Sequence, residues 1–309
     1  MKNFILALCL LSLLSCACFA YNAYDTSRYA TTQLTVTPSI GTQPAVIPST
    51  EIQPTVIPSI GTQPTIIPFT GGAQRAFTFV NHTGQTIWVG TQGSVLLKNG
   101  GWRLDVGQTS TILVPKNWAS GRFWGRTGCT FDSSGAGSCA TGDCGGHLQC
   151  NGAGGVPPAS LAEFTLSGGG GNDFYDISYV DGSNIPIIIT TSNTPSSSDS
   201  RQCGNAGCPT DINAICPSAL QKKDASGKVV ACMSACLALH TDQYCCTGAY
   251  NTPQTCDPTK WPVNYAQIFK KACPSAYSYA FDDTTSTFTC KNCNYQITFG
   301  SLGSPAHSP

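Results

Sequence analysis

Eighteen cysteines are spread so unevenly along this chain that they divide it before any other feature does. Three lie before residue 19, none falls between Ala20 and Gly128, and fifteen lie from Cys129 onward. Cysteines at that density read as disulfides, which form and persist in oxidising compartments. The amino terminus agrees with such a destination. Lys2 precedes an apolar run from Phe4 to Leu14, and Ala17-Cys18-Phe19-Ala20 offers small residues for cleavage, the pattern of a removable signal peptide over residues 1–20. The run is short for a membrane span. A lipobox ending at Cys16 fits only loosely, so the expectation is a secreted, extracellular protein.

A different composition follows, in residues 21–74. Gln43 to Pro48 reads QPAVIP, Gln53 to Pro58 reads QPTVIP and Gln63 to Pro68 reads QPTIIP, a ten-residue repeat with a decayed copy at Gln33 to Pro38. Two prolines per repeat remove ladder donors and favour extended chain, so this stretch reads as a linker whose Thr and Ser could carry O-glycans. From Arg75 the pattern changes again. Ala76 to Val80, Thr86 to Gly90, Gly101 to Val106, Ser110 to Val114 and Gly121 to Arg126 are short β-branched or aromatic runs divided by turn residues, the signature of an antiparallel sandwich or barrel. Ala231 to His240 and Pro262 to Ala272 carry apolar residues at helical spacing, in a half with few large apolar side chains. Bridged loops would stand in for the missing core there, at about 2 to 4 kcal/mol per bridge.

One hairpin carries chemistry. Leu161 to Gly182 reads LAEFTLSGGGGNDFYDISYVDG, two β-forming segments around four glycines and an asparagine. Gly and Asn supply the positive φ that a tight reversal needs. A reversal centred between Gly169 and Gly170 sets Glu163 directly opposite Asp176. Facing like charges cost a sheet up to about 1 kcal/mol. Charged residues are only 10% of this chain and its formal net charge is zero, so two carboxylates placed where they repel suggest a site, with Asp181 a third. The alternative is that they point to separate solvated faces. The same neutrality, with Lys and Arg unclustered, excludes bulk recruitment to nucleic acid.

Gly135 to Cys150, GAGSCATGDCGGHLQC, resembles the signature of thaumatin-like proteins. So do FTFVNHTGQTIWVG near the start, GRFWGRTGC at Gly121, PPASLAEFTL at Pro157, FYDISYVDGSNIP at Phe174, DQYCCTG at Asp242 and CPSAYSYAFDD at Cys273, in the family's order. The resemblance implies a mainly β fold over residues 75–300: a flattened β-sandwich (75–126, 158–202 and 285–300), a small disulfide loop (127–157) and a disulfide-rich helical part (203–284), with residues 301–309 as a tail. It implies the pairs Cys129 with Cys139, Cys144 with Cys150, Cys203 with Cys290, Cys208 with Cys273, Cys216 with Cys232, Cys236 with Cys245 and Cys246 with Cys256. The family's eighth bridge is absent, its two positions falling on Thr83 and Gly300. Cys293 has no counterpart. It is read as a spare thiol, an alternative partner for Cys203, or an intermolecular bridge that would make an otherwise monomeric protein a dimer. Asn81-His82-Thr83 is the one glycosylation sequon.

The resemblance also implies a cleft lined by Arg122, Glu163, Asp176, Asp181 and Asp282, with Asp283 a competitor for the last place. These include the three acids of the hairpin. Carboxylates accept hydrogen bonds from sugar hydroxyls, and the ligand the family implies is β-1,3-glucan or a related wall polysaccharide, with microbial membrane surfaces as another target. Three functions from different classes follow: a secreted glucan-binding defence protein, a weak endo-β-1,3-glucanase with Glu163 as general acid and Asp181 as nucleophile or base, or a protein ligand or enzyme inhibitor on the same scaffold. Nothing in the chain asks for a metal or cofactor. It has no Gly-x-Ser-x-Gly elbow, Walker loop or His-Glu-x-x-His helix, and His82, His147, His240 and His307 are scattered.

Overall fold

A computed structural model describes residues 74–301 apart from 195 and 197. The expected signal peptide, the whole of the repeat and the tail beyond residue 301 lie outside the described residues. The strands in chain order are β1 (Gln74–Asn81), β2 (Ile87–Gln92), β3 (Gly101–Leu104), β4 (Thr109–Pro115), β5 (Gly121–Arg126), β6 (Thr130–Phe131), β7 (Gly137–Ser138) and β8 (Leu161–Thr165). They continue as β9 (Asp173–Ser178), β10 (Ile187–Thr191), β11 (Ala206–Gly207), β12 (Gln221–Lys223), β13 (Val229–Cys232), β14 (Ala276–Tyr277), β15 (Phe288–Cys290) and β16 (Tyr295–Phe299). The α-helices are α1 (Ala235–Leu239), α2 (Asp242–Cys245), α3 (Tyr265–Ala272) and α4 (Asp283–Ser286).

Two sheets face each other. One runs β11-β10-β16-β1-β4, and the other runs β14-β9-β8-β5-β2-β3 with β15 also on β9. Strand alternation explains the core between them. In β1, Phe77 and Phe79 are wholly buried while Thr78 and Val80, which alternate with them, are not, and Phe123, Phe164, Tyr175 and Tyr295 enter from other strands. Edge-to-face contacts such as Phe77 on Phe164 and Phe79 on Phe123, each with centroids 4.8 Å apart, hold the sheets together. The chain is a mainly β sandwich with few, short helices, and the sequence expectation of its class holds.

Disulfides join Cys129 to Cys139, Cys144 to Cys150, Cys208 to Cys273, Cys216 to Cys232, Cys236 to Cys245 and Cys246 to Cys256. Three sulfurs meet elsewhere. Cys290 is within bonding reach of both Cys203 and Cys293, and all three are buried within 4.8 Å of one another. One sulfur forms one disulfide, so these are alternative partners of Cys290. Complete burial of Cys293 corrects the intermolecular reading, because a second molecule has no route to that sulfur.

Two further expectations change. The helical spacing read over Ala231 to His240 begins too early, because Ala231 and Cys232 belong to β13, paired with β12. The helix starts only after Ser234, whose hydroxyl caps it by accepting from the Leu237 N–H. The sequon at Asn81 is closed. Asn81 is fully buried and its amide donates to the carbonyls of Gln85 and Leu104, both at 2.9 Å, so Nδ2 has neither access nor a free hydrogen for a glycan. Close by, Gly300 takes φ +95°, and a Cβ there would lie 2.7 Å from the Thr83 nitrogen. The two positions where the family bridge is missing are thus neighbours.

Candidate functional site

The glycine run builds one arm of the site. Gly170 and Gly171 both take positive φ, and the reversal delivers β8 and β9 in the register Glu163 opposite Asp176. Long-range pairing does the rest: Arg122 on β5 lies opposite Glu163, and Gln92 on β2 lies opposite Arg122. Register partners share a face, so Gln92, Arg122, Glu163 and Asp176 form one polar row across four strands. The residues beside them, Phe123, Phe164 and Tyr175, point into the core. The row therefore lies on the outer face of the second sheet.

Farther along that face, the segment between β5 and β8 covers Trp124 and Arg126. Trp124 is wholly buried with Cys144, Cys150 and Leu161, and its indole N–H donates to the Gly142 carbonyl at 2.8 Å. Arg126 is also wholly buried and donates to the carbonyls of His147 at 2.7 Å and Leu148 at 2.5 Å. Dehydration pushes its guanidinium down to about 10. This covering stops short of Arg122, whose side chain keeps 38% of its exposure.

Repulsion and dehydration dominate the row. Arg122 stands 3.8 Å from Glu163. Burial raises the Glu163 carboxyl above its ordinary range, Arg122 opposes the shift, and the Asp181 charge adds to it. Asp176 is raised well above the usual carboxylate value, by burial first and then by the charges of Glu163 and Asp283, again against Arg122. Asp181, in the turn after β9, is raised by burial and lowered by Arg122. Arg122, Glu163, Asp176 and Asp181 are thus brought together. Two buried polar atoms among them, Nε of Arg122 and Oδ1 of Asp176, have no hydrogen-bond partner in the described protein.

Asp282 is placed differently. Its carboxylate pairs with Lys270 of α3 at 3.0 Å and accepts from Ser278 and Thr285. Asp283 is exposed and accepts the Tyr277 hydroxyl at 2.8 Å. Gln92 was not legible in the sequence, since its place depends on β2 pairing with β5 across some thirty residues of intervening chain.

Residues 81–301 match the Thaumatin family. The chain belongs to the thaumatin family. A relative in Arabidopsis thaliana, "Pathogenesis-related protein 5", is 54% identical over 226 residues, covering 72% of this chain and 89% of the relative. The Prunus avium protein named "Glucan endo-1,3-beta-glucosidase" is 48% identical over 235 residues, 74% of this chain and 92% of its own. Among solved structures, a laminaripentaose-producing beta-1,3-glucanase in complex with laminaritetraose superposes with a TM-score of 0.50 at 11% identity, over 74% of this chain and 99% of that one, a likeness of fold. The thaumatin-family sandwich and its disulfides are accordingly the frame in which the polar row sits.

Proposed function

We propose that this protein is secreted and binds β-1,3-glucan along the row of Arg122, Glu163, Asp176 and Asp181, as part of defence against organisms whose walls contain that polymer. The observation that carries the reading is the pair of orphaned polar atoms, Nε of Arg122 and Oδ1 of Asp176, that both fall within the charged row. Leaving a buried donor or acceptor unmade costs about 1 to 3 kcal/mol, and a ligand hydroxyl satisfies either atom. A neutral polyhydroxylated chain suits the site because it donates to carboxylates without adding a charge beside them. The names of the pathogenesis-related relatives support the defensive role, and the disulfide content supports an extracellular location. Retention on insoluble β-1,3-glucan, reduced about tenfold by Arg122→Gln at a temperature where the variant is still folded, is the expected result. Wild-type protein that stays in the supernatant overturns the reading.

A second reading, a weak endo-β-1,3-glucanase, is favoured by the raised Glu163 carboxyl. A general acid must hold its proton near working pH, and burial and Asp181 both act in that direction. Asp181 would then serve as nucleophile or base. Reducing-sugar release from linear β-1,3-glucan that Glu163→Gln abolishes supports it, and release that survives Glu163→Gln removes the acid assignment.

A further inference from the structure

The end of the row beyond Asp176 is built by the segment Tyr277 to Asp283, which offers two adjacent carboxylates. They are bonded in opposite ways. Asp282 is turned to the protein: Oδ2 accepts from the Ser278 N–H at 3.0 Å, the Ser278 hydroxyl at 2.8 Å and the Lys270 ammonium at 3.0 Å, and Oδ1 accepts from the Thr285 hydroxyl at 3.0 Å. A carboxylate has about four lone-pair positions, two on each oxygen, so Oδ2 is saturated and a single position on Oδ1 is left. Its side chain is only 12% exposed.

Asp283 has the reverse character. It is exposed, and its Oδ1 accepts from the Tyr277 hydroxyl, its one side-chain hydrogen-bond partner among the described residues. Tyr277 fixes where that carboxylate stands. β14 pairs with β9 so that Tyr277 lies opposite Ser178, two residues along the strand from Asp176 and on the same face. The tyrosine therefore belongs to the face that carries the row, and its hydroxyl, also bonded to Thr287 at 2.6 Å, ties Asp283 to it. The charge of Asp283 reaches Asp176.

We propose that Asp283 is the carboxylate presented to the ligand at this end of the row, that Tyr277 holds it there, and that Asp282 is a positioning residue whose work is to fasten the loop to α3. The inference rests on the polyhydroxylated-ligand reading for its binding consequence, and on geometry alone for the assignment. It makes the site's far wall depend on a residue one position along from the one that family resemblance selects.

The experiment compares Asp282→Asn, Asp283→Asn and Tyr277→Phe in the full chain, with two readouts. The first is affinity for a soluble linear β-1,3-glucan hexamer. Asp283→Asn is expected to weaken it about tenfold with little change in Tm, and Tyr277→Phe less, while Asp282→Asn lowers Tm and leaves the affinity of the folded fraction within about twofold. The second needs no ligand: the titration of Asp176, followed by carboxyl carbon NMR. Glu163, Asp283, Arg122 and Tyr277 are the ionisable groups acting on or facing Asp176. Asp283→Asn is expected to move its midpoint down, and Asp282→Asn to leave it in place. Equal midpoints in wild type and Asp283→Asn, or affinity lost in Asp282→Asn at unchanged Tm, overturns the assignment. If no variant nor the wild type binds the hexamer while the midpoints move as stated, the glucan reading fails and the assignment of Asp283 stands.

Discussion

Glu163 and Asp176 face each other across the β8–β9 ladder, and Arg122 faces Glu163 from the other side. Burial raises all three acids, Glu163, Asp176 and Asp181, and the one guanidinium that serves them only opposes the shift, so each binds its proton more tightly than usual despite a cation in their midst. A sheet selected for stability alone would alternate charges here or bury apolar side chains.

Asp176 should therefore lower stability as pH rises. Its folded pKa lies above the unfolded one, so between the two values the native state binds more protons, and the free energy of unfolding falls with pH through that window. Asp176→Asn removes the charge while keeping the shape. It is expected to stabilise the protein by about 1 kcal/mol at pH 7 and to be near neutral below pH 3.5. Thermal melts at the two pH values check this, and an equal effect at both would contradict it.

Arg126 should matter more than its distance from the row suggests. Its fork holds the His147 and Leu148 carbonyls, with the Trp88 carbonyl at 3.3 Å, and so fastens the disulfide loop to the sheet. Arg126→Met orphans these acceptors and is expected to cost about 3 kcal/mol or more. Arg126→Lys should recover only part, because an ammonium does not reproduce the planar fork. Urea melts give the magnitude, and faster amide exchange confined to the loop would show where the loss falls.

Gly300 cannot take a side chain cheaply. A methyl group would sit 2.6 Å from the His82 carbonyl carbon, in a backbone conformation that L residues rarely adopt. Gly300→Ala is expected to cost about 2 kcal/mol, read from denaturant midpoints. A neutral result would mean that the junction of β1 and β16 yields more readily than its packing implies.

The fifteen cysteines from Cys129 onward cannot all pair within one molecule. Because Cys203, Cys290 and Cys293 are all buried, alkylation of the native protein should label none of them, and alkylation after denaturation without reductant should label one. Peptide mapping identifies it as Cys203 or Cys293. A thiol labelled in the native state would contradict the packing.

The carboxylate pair was legible because everything that fixes it is local: four glycines, an asparagine, and equal counts on either side. Arg122 entered through resemblance, and Gln92 through neither route, since both depend on strands brought together from distant parts of the chain. The choice between Asp282 and Asp283 lay below the resolution of a motif. Two adjacent acids differ here only in which donors surround them, and those donors come from α3, from Ser278 and from Tyr277. The early start assigned to α1 has a similar cause, because apolar spacing does not register that Cys232 is committed to a strand and a bridge.

β16 occupies the middle of its sheet, with β1 parallel on one side and β10 antiparallel on the other. The ribosome makes that strand after every other strand described here. Until then β1 and β10 each wait with an open edge, so the sandwich cannot close during synthesis and must assemble once the carboxy-terminal residues have emerged. A nascent chain halted before Tyr295 would expose two unpaired borders at once, that of β1 with Phe77 and Phe79 and that of β10 with its three isoleucines, both open to sticking to neighbouring chains.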